Sequence, residues 1–263
     1  MAAGRKDLGE LEIVDAMILA AGLGTRLRPF TDDRPKALIE VDGVPILERI
    51  IRYLTAAGVD RVIINTHHHA HQIERFVADR GNLEVEILLS AEPDQPLGTG
   101  GGLMNAASLF RRDEPFVLYN GDIITDFDLV AMNRAHRVDE RLGTLAVNHR
   151  QTSRCLLFDD EGLYGWANLS TGESETSRPV RGKSHAIPFA GVHVLSPKIF
   201  DLISERGAFS IIPVYLRLVQ AGYRLLPHDV SAALWLEIGN PERLETARRV
   251  VSTLKGRSDL SPG

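Results

Sequence analysis

Residues Ala16 to Lys36 read A-M-I-L-A-A-G-L-G-T-R-L-R-P-F-T-D-D-R-P-K. An apolar run opens into a loop with Gly22 and Gly24, and Arg26, Arg28 and Lys36 follow. Glycine lets backbone N–H groups approach an anion closely, and the cations neutralise it. A strand, a glycine loop and converging positive charge describe a cradle for phosphate. Two common phosphate-binding patterns do not fit: G-x-x-x-x-G-K-[ST] cannot be aligned here, and G-x-G-x-x-G would need glycine where Leu27 stands. A second chemical group, Asn120-Gly121-Asp122, ends the apolar run V-L-Y. With Asp126 close behind, an aspartate at a strand end suits Mg²⁺ held by one or two carboxylates, with phosphate oxygens completing the octahedron. The same tripeptide is also a common turn.

Two further clusters have plainer readings. His67, His68, His69 and His71 are metal-ligand types, yet only His67 and His71 share the i, i+4 spacing of a helix face, which favours a polar loop at a helix start. Asp126-Phe127-Asp128 spells D-x-D, but it opens a helical pattern, where aspartate caps well.

The elements that carry these groups alternate. Ala16–Ala20, Arg61–Asn65, Val85–Leu89 and Phe116–Tyr119 read as strands buried on both faces. Between them lie helical patterns: one opened by Pro45 and stopped by Gly58, one over His71–Asp79, one over Leu103–Phe110. This β-α-β-α order predicts a mainly parallel α/β sheet with helices on both faces, which binds ligands beyond the carboxyl ends of its strands. After a strand at Thr144–Asn148, residues 150–185 read as a hairpin excursion with a mobile loop over Ser170–Ser184. Regular structure returns with a strand over Ile187–Leu195, helices from Pro197 and Ile211, strands near Leu225–His228 and Leu234–Ile238, and a helix from Pro241 to about Leu254.

Composition narrows the function class. The 263 residues are 44% hydrophobic and carry a net charge of −5, so no surface for nucleic acid is expected. The single cysteine, Cys155, forms no intramolecular disulfide and no zinc cluster, and it reads as a core residue. No run approaches a membrane span, and no signal core is evident. A reducing cytoplasm is therefore expected. One domain over 13–255 is expected, with 1–12 and 256–263 as flexible ends.

The motif L-A-A-G-L-G-T-R-L-R-P followed by R-P-K-A-L resembles the signature of the sugar-1-phosphate nucleotidyltransferases, and the likeness extends over nearly all of residues 14–250. The resemblance implies a Rossmann-like, GT-A-like fold and an enzyme that joins a nucleoside triphosphate to a sugar 1-phosphate with release of pyrophosphate. It implies that Ala20, Ala21, Gly22, Gly24 and Thr25 hold the nucleotide and that Arg26, Lys36 and Asp122 carry the catalysis. W-L-E-I-G-N-P-E-R-L resembles the family's W-x-D-[IV]-G-T-P-E, which makes Glu237 the second Mg²⁺ ligand beside Asp122, with glutamate and Asn240 where the family has aspartate and threonine.

E-P-D-Q-P-L-G-T-G-G-G resembles the segment that holds the nucleobase, which places Glu92 and Gly98 there. An ionised Glu92 on the base edge would only accept hydrogen bonds, so it favours bases with a ring N–H: uracil, thymine or guanine. F-A-G-V-H-V resembles the strand beside the sugar, implicating Gly191 and Asn120. The family's E-K-P element is not evident. Arg178, Arg181 and Lys183 stand near its place and read as a solvated face that could meet an anionic sugar substituent. Short N-acetylmuramate 1-phosphate uridylyltransferases look most similar, placing UTP slightly ahead of GTP. The alternatives are a guanylyltransferase acting on mannose or heptose 1-phosphate, a GT-A glycosyltransferase using D-x-D, and a non-catalytic nucleotide-sugar regulator. Neither the sugar nor the oligomeric state follows from the sequence.

Overall fold

The computed structural model describes residues 15–79, 83–92, 94–139 and 141–258. In chain order, β1 (Asp15–Leu19) leads through the glycine loop to short strands β2 (Glu40–Val41) and β3 (Val44–Pro45), then α1 (Ile46–Ala56) and β4 (Arg61–Thr66). Next come α2 (Ala70–Asp79), β5 (Glu86–Ala91), α3 (Gly98–Asn105), β6 (Phe116–Asn120), β7 (Ile123–Thr125), α4 (Leu129–Arg137) and β8 (Gly143–Val147). Strands β9 (Arg154–Asp159), β10 (Gly162–Asn168), β11 (Glu173–Thr176) and β12 (His185–Ile187) precede β13 (Phe189–Leu195). The chain continues through α5 (Ile199–Leu202), α6 (Ile211–Gln220), β14 (Leu225–Asp229), β15 (Trp235–Glu237) and α7 (Pro241–Ser258).

Seven strands form one sheet in the order β14-β8-β13-β6-β1-β4-β5. All neighbours in it are parallel except β13, which runs antiparallel to both β6 and β8. Alternation along the strands sends side chains to opposite faces. Ala16, Ile18, Val62 and Ile64 pack with residues of α1, α4 and α7; Met17, Ile63, Phe116 and Leu118 pack with residues of α3, α5 and α6. The expected mixed, mainly parallel sheet with helices on both faces is thus present. Parallel β1, β4 and β6 end side by side, which puts Ala20, Asn65 and Asn120 at one edge.

Three expectations about elements need correction. The strand expected over Ile187–Leu195 is broken at Pro188, which has no N–H for a ladder. β12 joins a separate four-stranded antiparallel sheet, order β11-β10-β9-β12, while β13 enters the main sheet. The segment expected to be a mobile loop, Ser170–Ser184, holds β11 paired to β10. It is also knotted to the β9–β10 turn. The Asp159 carboxylate has no exposed side-chain surface, takes two Arg178 bonds at 2.6 and 2.7 Å, and accepts the Arg181 N–H at 2.7 Å. Finally, the third helix begins at Gly98 rather than Leu103. Glycines usually oppose helix, but here the segment 207–211 lies against them. A Cβ on Gly100 would sit 2.3 Å from the Phe209 ring, and one on Gly101 would sit 2.3 Å from the Gly207 carbonyl oxygen. Residues 1–12, expected as a flexible end, lie outside the described residues; α7 continues to Ser258, within the other expected end.

Two stability outcomes follow. Helix propensity alone would make Gly101→Ala favourable by about 1 kcal/mol. The backbone contact reverses the sign, so Gly101→Ala lowers the urea-unfolding free energy by about 1–3 kcal/mol. The loss exceeds that of Gly100→Ala, whose obstacle is chiefly a side-chain ring. The Arg178 guanidinium holds the Asp159 carboxyl well below the usual range, so this pair stabilises the fold above the ordinary carboxylate pKa and is lost as pH falls through the depressed one. Asp159→Ala costs about 3–5 kcal/mol at neutral pH, and the gap between the melting temperatures of variant and parent narrows progressively as pH is lowered below the ordinary carboxylate pKa.

Candidate active site

The glycine loop is held at its root by a buried polar chain. β1 ends at Leu19, and the Asn65 side-chain oxygen accepts the Ala20 N–H at 2.6 Å and the Ala21 N–H at 3.3 Å. The Asn65 amide donates to Glu92 at 2.7 Å, and the other Glu92 oxygen accepts the Leu97 N–H at 2.7 Å. This chain ties the ends of β1, β4 and β5 to the start of α3. It also engages Glu92, which the sequence places at the base edge. That residue is only 1% exposed, and both oxygens are bound to the protein. It braces the loops, each oxygen already holding one protein N–H. The glycines after it are similarly needed by protein packing: a Cβ on Gly98 would meet the Phe209 oxygen at 2.7 Å, and one on Gly102 would meet Glu92 at 2.7 Å. Asn65 is the site residue missed from sequence. Its signal was a polar residue ending the apolar run R-V-I-I.

Within the loop the two glycines differ. Gly24 has φ 65°, and a Cβ there would meet Thr31 at 2.9 Å, so the backbone turn itself needs glycine. Gly22 has neither constraint: nothing lies within 4 Å of its Cβ position. What glycine keeps clear there is the approach from the cleft. Thr25 and Arg26 begin a 3₁₀ turn and are exposed.

Lys36 opens the next 3₁₀ turn, after Pro35. Its Nζ donates to Asp122 Oδ2 at 2.6 Å, with side chains 15% and 24% exposed. Gly121 makes this approach feasible. Its N–H donates to the Leu19 carbonyl at 3.1 Å, and a Cβ would lie 2.6 Å from that oxygen. Lys36, Asp122, Asn120, Gly22, Gly98 and Glu92 all line one cleft of about 260 Å³, with Ala20 and Ala21 in its wall. Gly191, φ 83°, backs it: a Cβ there would meet Asn120 Nδ2 at 3.0 Å.

Glu237 arrives by backbone pairing. β15 runs antiparallel to β7 with Glu237 opposite Ile123, and the Ile238 N–H donates to the Asp122 carbonyl at 2.8 Å. Its carboxylate, however, is ion-paired with Arg243 of α7. Glu237 therefore neighbours Asp122 in backbone while one of its oxygens is engaged elsewhere. Among the described residues no three His, Cys, Asp or Glu side chains gather as a ready-made metal cage, the histidine cluster included. The oxygen-only pair Asp122 and Glu237 fits a hard cation that takes one or two carboxylates and completes its shell from substrate phosphates.

Several nearby charges are committed. Of the three cations expected as a solvated face, Arg178 is drawn inward onto the fully covered Asp159, whereas Arg181, paired with exposed Glu161, and Lys183 lie at the surface as expected. In D-x-D, Asp126 accepts the Leu234 N–H at 2.8 Å and Asp128 caps α4 through Ala131 at 2.8 Å. Both serve the fold, which removes the support for the D-x-D glycosyltransferase reading. His193 is buried beneath the site and shares a 2.8 Å hydrogen bond with Tyr215; burial pulls its pKa down to about 3, so it stays neutral.

Comparison with known proteins agrees with this geometry. Residues 15–253 match the nucleotidyl transferase family. The chain is 31% identical over 230 residues to an N-acetylmuramate alpha-1-phosphate uridylyltransferase of Caulobacter vibrioides, covering 86% of this chain and 92% of that one. It is 30% identical over 233 residues to a mannose-1-phosphate guanylyltransferase of Mycobacterium tuberculosis, covering 87% of this chain and 62% of that longer one. The crystal structure of HddC from Yersinia pseudotuberculosis superposes with a TM-score of 0.73 at 24% identity, over 90% of this chain and 99% of that one, and shares the fold. The glycine loop, the Lys36–Asp122 pair and these alignments agree: the chain belongs to the nucleotidyltransferase family.

Proposed function

We propose that the protein transfers a nucleotidyl group from a nucleoside triphosphate to a sugar 1-phosphate and releases pyrophosphate. The observation that carries this reading is the Lys36–Asp122 contact inside the glycine-loop cleft. A phosphate monoester has its second pKa near 6, so the acceptor is already mostly a dianion at neutral pH and needs no strong base. The obstacle is repulsion between an attacking anion and a polyanion, and catalysis consists of charge neutralisation and in-line positioning. Exposed Arg26 and the open backbone at Gly22 and Gly24 hold the triphosphate and the leaving pyrophosphate. Lys36 neutralises the α-phosphate and the incoming oxygen. Asn120 and Gly191 border the sugar. Asp122 and Glu237 would hold Mg²⁺, which when bound adds positive charge between the reactants.

UTP is the favoured donor and GTP the second reading. The shorter uridylyltransferase relative aligns over nearly its whole length, while the guanylyltransferase extends well beyond the match. One domain over 13–255 suffices for the reaction, and the cytoplasm, where such substrates are made, is its proposed location.

Pyrophosphate release from a matrix of the four NTPs and several sugar 1-phosphates tests the reading. Steady release with UTP supports it; binding without turnover would leave a regulator. Lys36→Ala lowers kcat by about 10²–10³-fold in a protein that still melts cooperatively, though at a lower temperature because Asp122 loses its partner, and a near-normal rate in that variant refutes the assignment. Glu237→Gln raises the half-saturating magnesium concentration about 10-fold, whereas an unchanged magnesium titration removes Glu237 from the metal site.

A further inference from the structure

Arg150 stands out among the cations at the sugar end of the site. It is half-buried, with its guanidinium 4.2 Å over the Trp235 ring. One terminal nitrogen donates to the Asn148 side-chain oxygen and the other to the Phe189 carbonyl at 2.9 Å. Every one of these partners is neutral. Among the described residues Arg150 forms no ion pair, whereas Lys36, Arg178, Arg181 and Arg243 each have a carboxylate. Exposed Arg26 is solvated by water; Arg150 has given up much of its water without gaining a counter-ion, an arrangement that is costly unless an anion completes it. Glu237 attracts it through space, but that carboxylate is already taken by Arg243.

Its placement is equally specific. Arg150 is fastened to Phe189, and the Trp235 beneath it donates to the Ala190 carbonyl at 2.8 Å. The next residue, Gly191, backs Asn120 in the wall of the cleft. Arg150 therefore sits beside the start of β13, two residues along the chain from the glycine that backs Asn120. A guanidinium has five N–H donors in a planar fork, and two are used here. The three that remain, on Nε and on both terminal nitrogens, are enough for a bidentate contact with a carboxylate or phosphate.

We infer that Arg150 is a specificity-determining residue that binds an acidic group of the acceptor sugar, a carboxylate or a second phosphate, remote from its 1-phosphate. The inference rests on the sugar 1-phosphate reading above. The cation that the sequence placed on the Arg178–Lys183 segment is supplied instead from the loop after β8.

Binding can be read without turnover. The chain has two tryptophans, Trp166 and Trp235, so in a Trp166→Phe background the emission reports the ring under Arg150. Two matched pairs serve as probes: N-acetylmuramic acid 1-phosphate against N-acetylglucosamine 1-phosphate, and glucose 1,6-bisphosphate against glucose 1-phosphate. In one pair the acidic member binds about 10-fold tighter or more than its neutral counterpart, and the pair that shows this names the group. Arg150→Gln brings that ratio close to one, and Arg150→Lys, which keeps the charge but not the fork, restores part of it. Melting curves of both variants report whether the fold survives, and the lysine variant serves if the glutamine variant fails. Equal binding within both pairs, no emission change with any probe, or a loss in Arg150→Gln shared equally by acidic and neutral members overturns the inference. Pyrophosphate release keeps the two readings apart. Turnover of N-acetylglucosamine 1-phosphate without any acidic preference retains the reaction and removes Arg150's role. Acidic preference without turnover does the reverse.

Discussion

A lysine and an aspartate 86 positions apart meet at 2.6 Å, mostly shielded from water. Taking two charges out of water is costly, and each offsets the cost of burying the other. The rest of the site depends on that balance. β1 and β6 lie side by side so that the loops after them face one another. Gly121 lets one loop touch the Leu19 carbonyl, and Pro35 sets the start of the turn that presents Lys36. In the proposed reaction the incoming phosphates change the partners of both groups: the ammonium gains new anions, and the carboxylate is freed for a cation. A resting ion pair thus keeps both charges positioned before substrates arrive.

Around it the polar network is closed and the glycine loop is open. Asn65 and Glu92 satisfy the N–H groups of Ala20, Ala21 and Leu97, and buried polar groups left unpaired would be costly. The brace fixes where the loop leaves the sheet. Beyond that point Gly22 and Arg26 are exposed. Rigidity at the root with free donors at the tip is the arrangement that electrostatic catalysis needs, since donors must be in place before charge develops.

The second sheet shows how charge is allocated. Asp159, Arg178, Arg181 and Glu161 close on one another and fasten β9, β10 and the segment after β11. Two of the covered cations differ in this respect. Arg178, covered and paired with Asp159, holds the fold, and half-buried Arg150, with neutral partners only, remains electrostatically incomplete.

The sequence by itself determined the sheet class, because alternating β-branched runs and amphipathic helices leave few other ways to bury both faces. It also carried the expectation of phosphate chemistry, because Gly22, Gly24, Lys36 and Asp122 sit in short local motifs. Partners remote in the chain were a different matter. Glu92 reads as a free acceptor until Asn65 and the Leu97 N–H are seen to occupy it, and Glu237 as an unpaired ligand until Arg243 is seen beside it. The glycines at 100 and 101 read as a turn until Phe209 and Gly207 are found where their side chains would be. Only the tertiary structure decided these points, because whether a charge or a bare backbone is free depends on what the remainder of the chain brings within a few ångströms of it.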